Sequence, residues 1–426
     1  MNLKKELEQR GFIYQKSSEN VFEKFEKGGE NFYCGFDPTA DSLHLGNFIG
    51  FMLAIHLMKQ GNKYFALVGG ATGMIGDPGG KESERTFLSE ENLRNNEKSI
   101  KNQISKILSH LEKTTGNKFD FEVVNNVDFY KGFLYLDFLR EVGKYITVNQ
   151  MMAKDTVKKR ITDPDKSISY TEFSYMLLQG YDFYRLFSDK NVILQVGGQD
   201  QWGNIVTGVE LTRKKTDKEV YALTFPLLVD STGKKFGKSE GNALWLDRNK
   251  TSPYKLYQYF LNTADDDLEK YLKILTLVDL KEIKVILDKH LKNPGERYAQ
   301  KTLAYKVVEI IHSQADSESS SKITEILFGN EDKVSIIKNT TKEELDIFYN
   351  ELGGLEYSGE NLFELIVKSG LATSNSEARK AIESGAFYIN EQKVIDTKYD
   401  FSNDFINGKV LLLRKGKKTF KLIIKK

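Results

Sequence analysis

The sequence predicts an α/β domain built on an open parallel sheet, followed by an α-helical domain and a small C-terminal α+β module. Three observations predict it. In the first half, short apolar runs alternate with helical periods, the pattern of strands buried between layers of helices. From 253 to 312 the apolar spacing is helical throughout and strand signals vanish. Beyond Gly353 and Gly354, two helical periods give way to short apolar strands rich in Lys and Arg.

In order along the chain, strands are expected at 31–36, 63–69, 121–126, 191–197 and 221–227, and helices at 45–60, 92–111, 130–145, 171–186 and 202–212. Ser169, followed three residues on by Glu172, has the spacing of a capping box. The stretch 130–189 is too long for one crossover, so it is expected as an insertion that supplies a partner or dimer surface. The Ser-rich stretch 313–321 is expected as a loop or linker. The last unit is expected to hold helices at 362–369 and 377–384 and strands at 387–389, 409–413 and 420–424. The resulting division is 1–245, 246–325, a linker region 326–356, and 357–426.

A length of 426 residues favours two or three domains over one. With 40% hydrophobic and 29% charged residues, the chain has enough apolar area for packed cores, which excludes wholesale disorder. The single cysteine, Cys34, has no disulfide partner and excludes a Cys-based zinc cluster; a reducing cytoplasm is the expected setting. A charged N-terminus and the lack of about 18 consecutive apolar residues predict neither a signal peptide nor a membrane span. Net charge is only +2, yet 405–426 carries eight Lys or Arg and no Asp or Glu, which leaves the remainder at −6. Positive charge concentrated at one end points to a polyanion, because each cation placed on a phosphate releases counterions.

Two local patterns carry chemistry. The segment Pro38 through Asn47, which ends in His44-Leu45-Gly46-Asn47, directly follows a strand and opens a helix, where unpaired N–H groups favour anions and Gly46 removes a side chain that would hold a nucleotide away. Gly233-Lys234-Lys235-Phe236-Gly237-Lys238-Ser239 sets lysines between glycines on a loop able to close over a polyphosphate. Both lie at strand ends of the same expected sheet, where such sheets bind ligands. Neither a G-x-x-x-x-G-K-[ST] loop nor a G-x-G-x-x-G fingerprint is present.

On these residues the chain resembles the bacterial-type tyrosyl-tRNA synthetases, a class I family. His44 to Asn47 is similar to that class's HIGH motif and Lys235 to Ser239 to its KMSKS motif. Further family-like blocks are Tyr33-Cys34-Gly35-Phe36-Asp37, Gly76-Asp77-Pro78, Tyr175 through Asp182, and Gly197 through Asn204. The C-terminal unit resembles an S4-type RNA-binding module through Gly370-Leu371-Ala372 and Ser376 through Lys380, with Ser374 and Glu377 at capping-box spacing.

The resemblance implies a Rossmann-like nucleotide-binding domain and two-step charging of tRNA(Tyr): L-tyrosine and ATP give tyrosyl-AMP and pyrophosphate, and the tyrosyl group then passes to the tRNA 3′ end. It implies His44 and Asn47 on the phosphates, with Lys235, Lys238 and Ser239 closing over pyrophosphate, joined by Lys81 and Arg85. Cys34, Asp37, Thr39, Gly46 and Asp200 match positions near ATP or the reacting ends. Tyr33 and Asp182 match the phenol subsite; Asp77, Tyr175 and Gln179 match the α-ammonium subsite, with Gln201 close by. Tyr175, Gln179 and Asp182 also fall at i, i+4 and i+7, on one helix face. Many members carry histidine where this chain has Asn47, whose amide donates a hydrogen bond without charge. Arg379, Lys380, Arg414, Lys415, Lys417 and Lys418 are the implied RNA contacts. Mg2+ is expected to accompany ATP without a dedicated protein metal site, and the protein is expected to be a cytoplasmic homodimer with no membrane partner. A tryptophan-type class I synthetase and a non-catalytic RNA-binding paralogue are the alternatives.

Overall fold

Apolar runs of about six residues make the strands, since a strand buried on both faces needs no polar alternation. The computed structural model describes residues 2–78, 88–163, 167–234, 236–239, 242–329, 332–416 and 419–425, with backbone alone at 156, 238, 239 and 242. By compactness the chain divides into two units, one of residues 1–252 with 259–312, the other of 253–258 with 313–426.

The first unit contains strands β1 (Gln15–Lys16), β2 (Asn31–Phe36), β3 (Lys63–Val68), β4 (Phe121–Asn125), β5 (Val192–Gly198) and β6 (Tyr221–Phe225), in the order β1-β6-β5-β2-β3-β4. All neighbours are parallel except β1 and β6. Strand order reverses at β2: β3 and β4 lie on one side of it, β5 and β6 on the other. The carboxyl ends of β2 and β5 therefore flank the switch point, where such sheets open a crevice. The five expected strands are present; β1, two residues long, carries no periodicity and was not anticipated.

Helix Leu45–Met58 is buried along almost its whole length, as its apolar composition requires. Helix Glu90–Thr115 starts on Ser89, whose side chain accepts from Asn92 N–H. The helix expected at 130–145 is instead a short helix, Tyr135–Glu141, flanked by 3-10 turns Asn126–Phe129 and Gly143–Tyr145, because Gly132 turns the chain at φ +71°. Helix Tyr170–Lys190 is capped by Ser169, but only half of the capping box forms. The Glu172 carboxylate is buried against Arg160 at 2.8 Å and so does not return to the cap. Helix Trp202–Thr216 packs on this helix, and strands β7 (Lys238–Ser239) and β8 (Asn242–Ala243) form a hairpin.

The stretch 253–312 is helical, as expected, with helices Asp265–Leu275, Leu280–Lys292 and Tyr298–Ile311 lying in the first unit. Arg10, on the N-terminal helix Leu3–Arg10, donates to the carbonyls of Lys273, Thr276 and Val278 at 3.0, 3.3 and 2.9 Å.

In the second unit, the serine-rich stretch expected as a loop opens helix Gln314–Phe328. Ser313 caps it, and the buried Ser317 and Ser320 hydroxyls donate to carbonyls four residues back, which leaves no buried hydroxyl unpaired at these two positions. The region 326–356, expected as a linker, holds helices Lys333–Lys338 and Lys342–Glu351 and strand β9 (Leu355–Tyr357). Its Ile337, Phe348 and Leu352 pack with Val410, Leu412 and Leu422. Strands β10 (Phe387–Ile389), β11 (Gln392–Val394), β12 (Val410–Lys415) and β13 (Thr419–Lys425) complete a sheet ordered β11-β10-β12-β13-β9. Helices Leu362–Lys368 and Asn375–Glu383 cover it. Among the described residues no helix is long and apolar enough to cross a membrane.

Candidate active site

A cavity of about 330 Å³ opens at the carboxyl ends of β2 and β5, where the strand order reverses. Tyr33, Cys34 and Asp37, from β2 and the turn after it, line one wall. Tyr175, Gln179 and Asp182 of helix Tyr170–Lys190 line another, so the helical spacing read from the sequence faces the site.

At the deep end, Asp182 is fully buried. Asn126 Nδ2 donates to its Oδ2 at 2.8 Å, and the Tyr130 hydroxyl lies 3.0 Å from its Oδ1 and 3.0 Å from Leu178 C=O, the two acceptors for its single proton. Burial pushes the Asp182 carboxyl up to about 8, against the pull of the Asn126 and Tyr130 hydrogen bonds and with the help of the Asp37 charge. The Tyr33 hydroxyl is buried with no hydrogen-bond partner among the described protein atoms, and burial together with the Asp182 charge holds its pKa well above the ordinary phenol. Gln195, on β5, also lines the cavity, and its buried Oε1 has no hydrogen-bond partner among the described residues.

Midway, Asp37 accepts from Thr72 Oγ1 and from the Tyr175 hydroxyl, both at 2.7 Å. Tyr175 thus commits its proton and can offer only a lone pair outward. Asp77 accepts from Gln201 Nε2 at 2.6 Å and from Asn204 Nδ2 at 3.4 Å, and Gln201 also donates to Asp200 at 3.2 Å. Tyr175, Asp77 and Gln179 together present oxygen acceptors, a surface suited to an ammonium group. Burial raises the Cys34 thiol to about 12, so it is an uncharged small wall residue.

At the mouth, Thr39, His44, Gly46, Asn47 and Asp200 line the opening. His44 is the N-cap of helix Leu45–Met58, and its N–H donates to Asn47 Oδ1 at 3.1 Å. With its oxygen so used, Asn47 offers its amide hydrogens. A Cβ at Gly46 would meet the His44 ring at 2.9 Å, so glycine here also makes room for the imidazole. The chain after the lysine-rich loop lies against this turn: Leu45 N–H donates to Leu244 C=O, Leu246 N–H donates to Leu43 C=O, and His44 bridges Trp245. Gly237, at φ +78°, approaches so closely that a Cβ would sit 3.1 Å from Leu45 Cβ. The two motifs, almost 200 residues apart in sequence, are adjacent in the fold. Lys81, Arg85 and Lys235 lie outside the described residues, as do the side chains of Lys238 and Ser239.

Thr72, Asn126, Tyr130, Gln195 and Asn204 were not singled out from the sequence as site residues. Their signal is weak there: each is one polar residue at an element end or inside an apolar run, and only the fold brings it to the cavity.

In the second unit Arg379 and Lys380 are exposed, and Arg379 lies 5.3 Å from the Phe363 ring centroid. Arg414 stacks on Tyr388 at 3.6 Å and pairs with Glu391 at 2.9 Å, while Lys415 pairs with Glu377 at 2.6 Å. Counting charge over 405–426 misses these acidic partners, which arrive from earlier in the chain. Lys417 and Lys418 lie outside the described residues. Glu377 also spends its carboxylate on Thr373, so Ser374 caps helix Asn375–Glu383 without a reciprocal bond.

Residues 27–329 match the family model of tRNA synthetases class I (W and Y), and residues 349–423 match that of the tyrosine–tRNA ligase SYY-like C-terminal domain. Over 428 aligned residues the chain is 44% identical to a tyrosine–tRNA ligase of Streptococcus pyogenes serotype M3, covering 99% of this chain and 100% of that protein. A C-terminally truncated mitochondrial tyrosyl-tRNA synthetase of Aspergillus nidulans superposes with a TM-score of 0.71 at 31% identity, covering 77% of this chain and 94% of that one. A tryptophanyl-tRNA synthetase of Encephalitozoon cuniculi shares the fold at a TM-score of 0.52 and 15% identity, covering 78% of this chain and 89% of that one.

Proposed function

Because the chain belongs to the class I tRNA synthetases of the tryptophan and tyrosine group and charges tRNA with tyrosine, we propose that the cavity at the β2/β5 switch point performs both chemical steps. A carboxylate oxygen of tyrosine attacks the α-phosphorus of ATP, and the bond to the bridging oxygen breaks to release pyrophosphate, leaving tyrosyl-AMP. A ribose hydroxyl at the tRNA 3′ end then attacks the tyrosyl carbonyl carbon, losing its proton as AMP departs. No covalent enzyme intermediate is needed, so the protein's work is positioning and stabilisation of developing charge. Mg2+ enters with ATP as part of that substrate.

The observation that carries the assignment of the deep end to the phenol is the buried Tyr33 hydroxyl, without a partner among the described residues, beside the buried Asp182. A buried hydroxyl is unfavourable unless bonded, and a phenolic O–H entering this end supplies a partner to Tyr33 and a donor to Asp182. The tyrosine α-ammonium then falls among Asp77, Tyr175 and Gln179, and its carboxylate faces the mouth. His44, Asn47, Lys235, Lys238 and Ser239 serve the phosphates there, with Lys81 and Arg85.

The second unit anchors tRNA(Tyr), with Arg379 and Lys380 as its exposed cations. In the insertion, Leu134, Tyr135, Leu136, Val148 and Tyr170 are each more than half exposed, an apolar surface that suits a two-fold homodimer interface. The cytoplasm, with its tRNA and its reducing conditions, is the proposed setting.

ATP–pyrophosphate exchange measured with tyrosine, phenylalanine and tryptophan tests the site. Exchange should depend on tyrosine and nearly vanish with the other two. Equal exchange with phenylalanine would reject the phenol subsite, and exchange driven by tryptophan would favour the related specificity.

A further inference from the structure

The turn that carries His44 is held from behind by a helix that contributes nothing to the cavity wall. On helix Glu90–Thr115, Asn96 Nδ2 donates to Pro38 C=O at 3.0 Å. Seven residues later, Gln103 Oε1 accepts from Leu43 N–H at 2.8 Å, and its Nε2 donates to Ser42 Oγ at 3.2 Å. The spacing puts both amides on one helix face, two turns apart. They grip the two ends of the loop between β2 and helix Leu45–Met58. Ser42 and Leu43 are buried and Gln103 half-buried, so water has little access to these polar groups to replace the Gln103 amide. Leu43 also accepts from Leu246 N–H at 2.8 Å, and Leu45 N–H donates to Leu244 C=O at 2.8 Å, which ties the loop to the chain leaving the lysine-rich hairpin.

We infer that Gln103 is a positioning residue for adenylate formation: it fixes Leu43, and through Leu43 it sets the relative place of His44 and the segment that follows the lysine motif. This rests on the proposed roles of those two motifs. The same helix reaches the deep end through a different residue, Glu97, which accepts from Asn125 Nδ2 at 2.7 Å beside Asn126, whereas the hydrogen bonds of Gln103 go to Ser42 and Leu43. Small displacements of groups that stabilise a transition state are costly even when the substrate still binds. Gln103 should therefore act on the rate of activation and not on tyrosine affinity.

The test compares the full-length protein with Gln103→Met, which keeps side-chain volume but removes both hydrogen bonds, and Gln103→Glu, which keeps an acceptor for Leu43 N–H. Single-turnover tyrosyl-AMP formation at saturating tyrosine and ATP should fall about tenfold in Gln103→Met, from the loss of two hydrogen bonds. Tyrosine Kd should stay within about twofold, and Gln103→Glu should recover most of the rate. A Gln103→Met protein that melts lower but activates tyrosine at the parental rate would overturn the inference. So would parallel losses in tyrosine affinity and rate. If the parent itself failed to form tyrosyl-AMP, the proposed site would fail, a result distinct from a parent that is active and a variant that is unaffected.

Discussion

The two ends of the cavity are built differently. At the deep end, Asp182 is buried and side chains set its surroundings: Asn126 and Tyr130 each occupy one carboxylate oxygen, and Phe183 packs its ring 5.3 Å from that of Tyr33. At the mouth, His44 and Asn47 are placed by backbone bonds, with Asn47 accepting from the His44 N–H and Leu45 bonded to Leu244. The deep end controls the protonation and hydrogen bonding of one carboxyl group. In the proposed reaction, the mouth sets where loops stand while charge moves between substrates. Selectivity needs desolvated partners that a wrong substrate leaves unpaired, whereas phosphoryl chemistry needs donors aimed at oxygens whose charge grows in the transition state.

If the ends are separate in this way, changes at each should read out differently. The largest effect belongs to the mouth. Lys238→Ala should slow tyrosyl-AMP formation by about 10²- to 10³-fold, the loss expected for one preorganised charge-stabilising donor, with tyrosine Kd nearly unchanged. Rapid-quench measurement of the activation step, alongside equilibrium tyrosine binding, separates the two quantities. An equal loss in both would mean the ends are one site.

A smaller and opposite pattern belongs to the deep end. Tyrosyl enzymes reject phenylalanine by about 10⁵, a known property of the class and not a magnitude derived from this geometry. Measured above about pH 8, where the Asp182 carboxyl is ionised, Asp182→Asn should lower the tyrosine-over-phenylalanine ratio of kcat/KM by about 10- to 100-fold, the value of a hydrogen bond to a charged group. The rate with saturating tyrosine should change much less. An unaltered ratio would remove Asp182 from the selectivity site.

The same contrast explains what was legible in the sequence. The parallel strands announced themselves by apolar runs, and the His44 and Lys238 motifs by glycine and charge placed beside predicted strand ends. Tyr175, Gln179 and Asp182 were legible as one helix face. The residues that hold Asp182 were not: Asn126 looks like the last residue of a strand, and Tyr130 like one aromatic among many in an insertion. Their importance comes from contacts across 56 and 52 residues, which no local pattern encodes. The helix Gln314–Phe328 was missed for a related reason. Serine is a poor interior helix residue and composition alone favours a loop; only the fold shows that the helix buries these hydroxyls on carbonyls one turn back.

The smallest expected effect is also the sharpest test of how the deep end is built. Burial raises Asp182 to about 8, and the hydrogen bonds from Asn126 and Tyr130 restrain the rise by favouring the charged form. Tyr130→Phe removes one of these donors while keeping the ring that packs 5.5 Å from Tyr181. The midpoint should move upward by about half to one pH unit, the equivalent of one net hydrogen bond. The ionised carboxylate is the stronger acceptor for a phenolic O–H, so tyrosine affinity should rise as pH increases through the midpoint. In Tyr130→Phe that rise should occur at higher pH, and the variant should bind tyrosine more weakly near pH 7. Phenylalanine affinity, with no hydroxyl to offer, should lack the step. Folding stability provides a second reading with the opposite slope. Between the unfolded carboxyl range and about pH 8 the folded state holds the extra proton, so this group costs stability as pH rises through that window. The variant should extend that loss to higher pH. Coincident tyrosine-affinity profiles for parent and variant would show that the Tyr130 hydroxyl does not control Asp182.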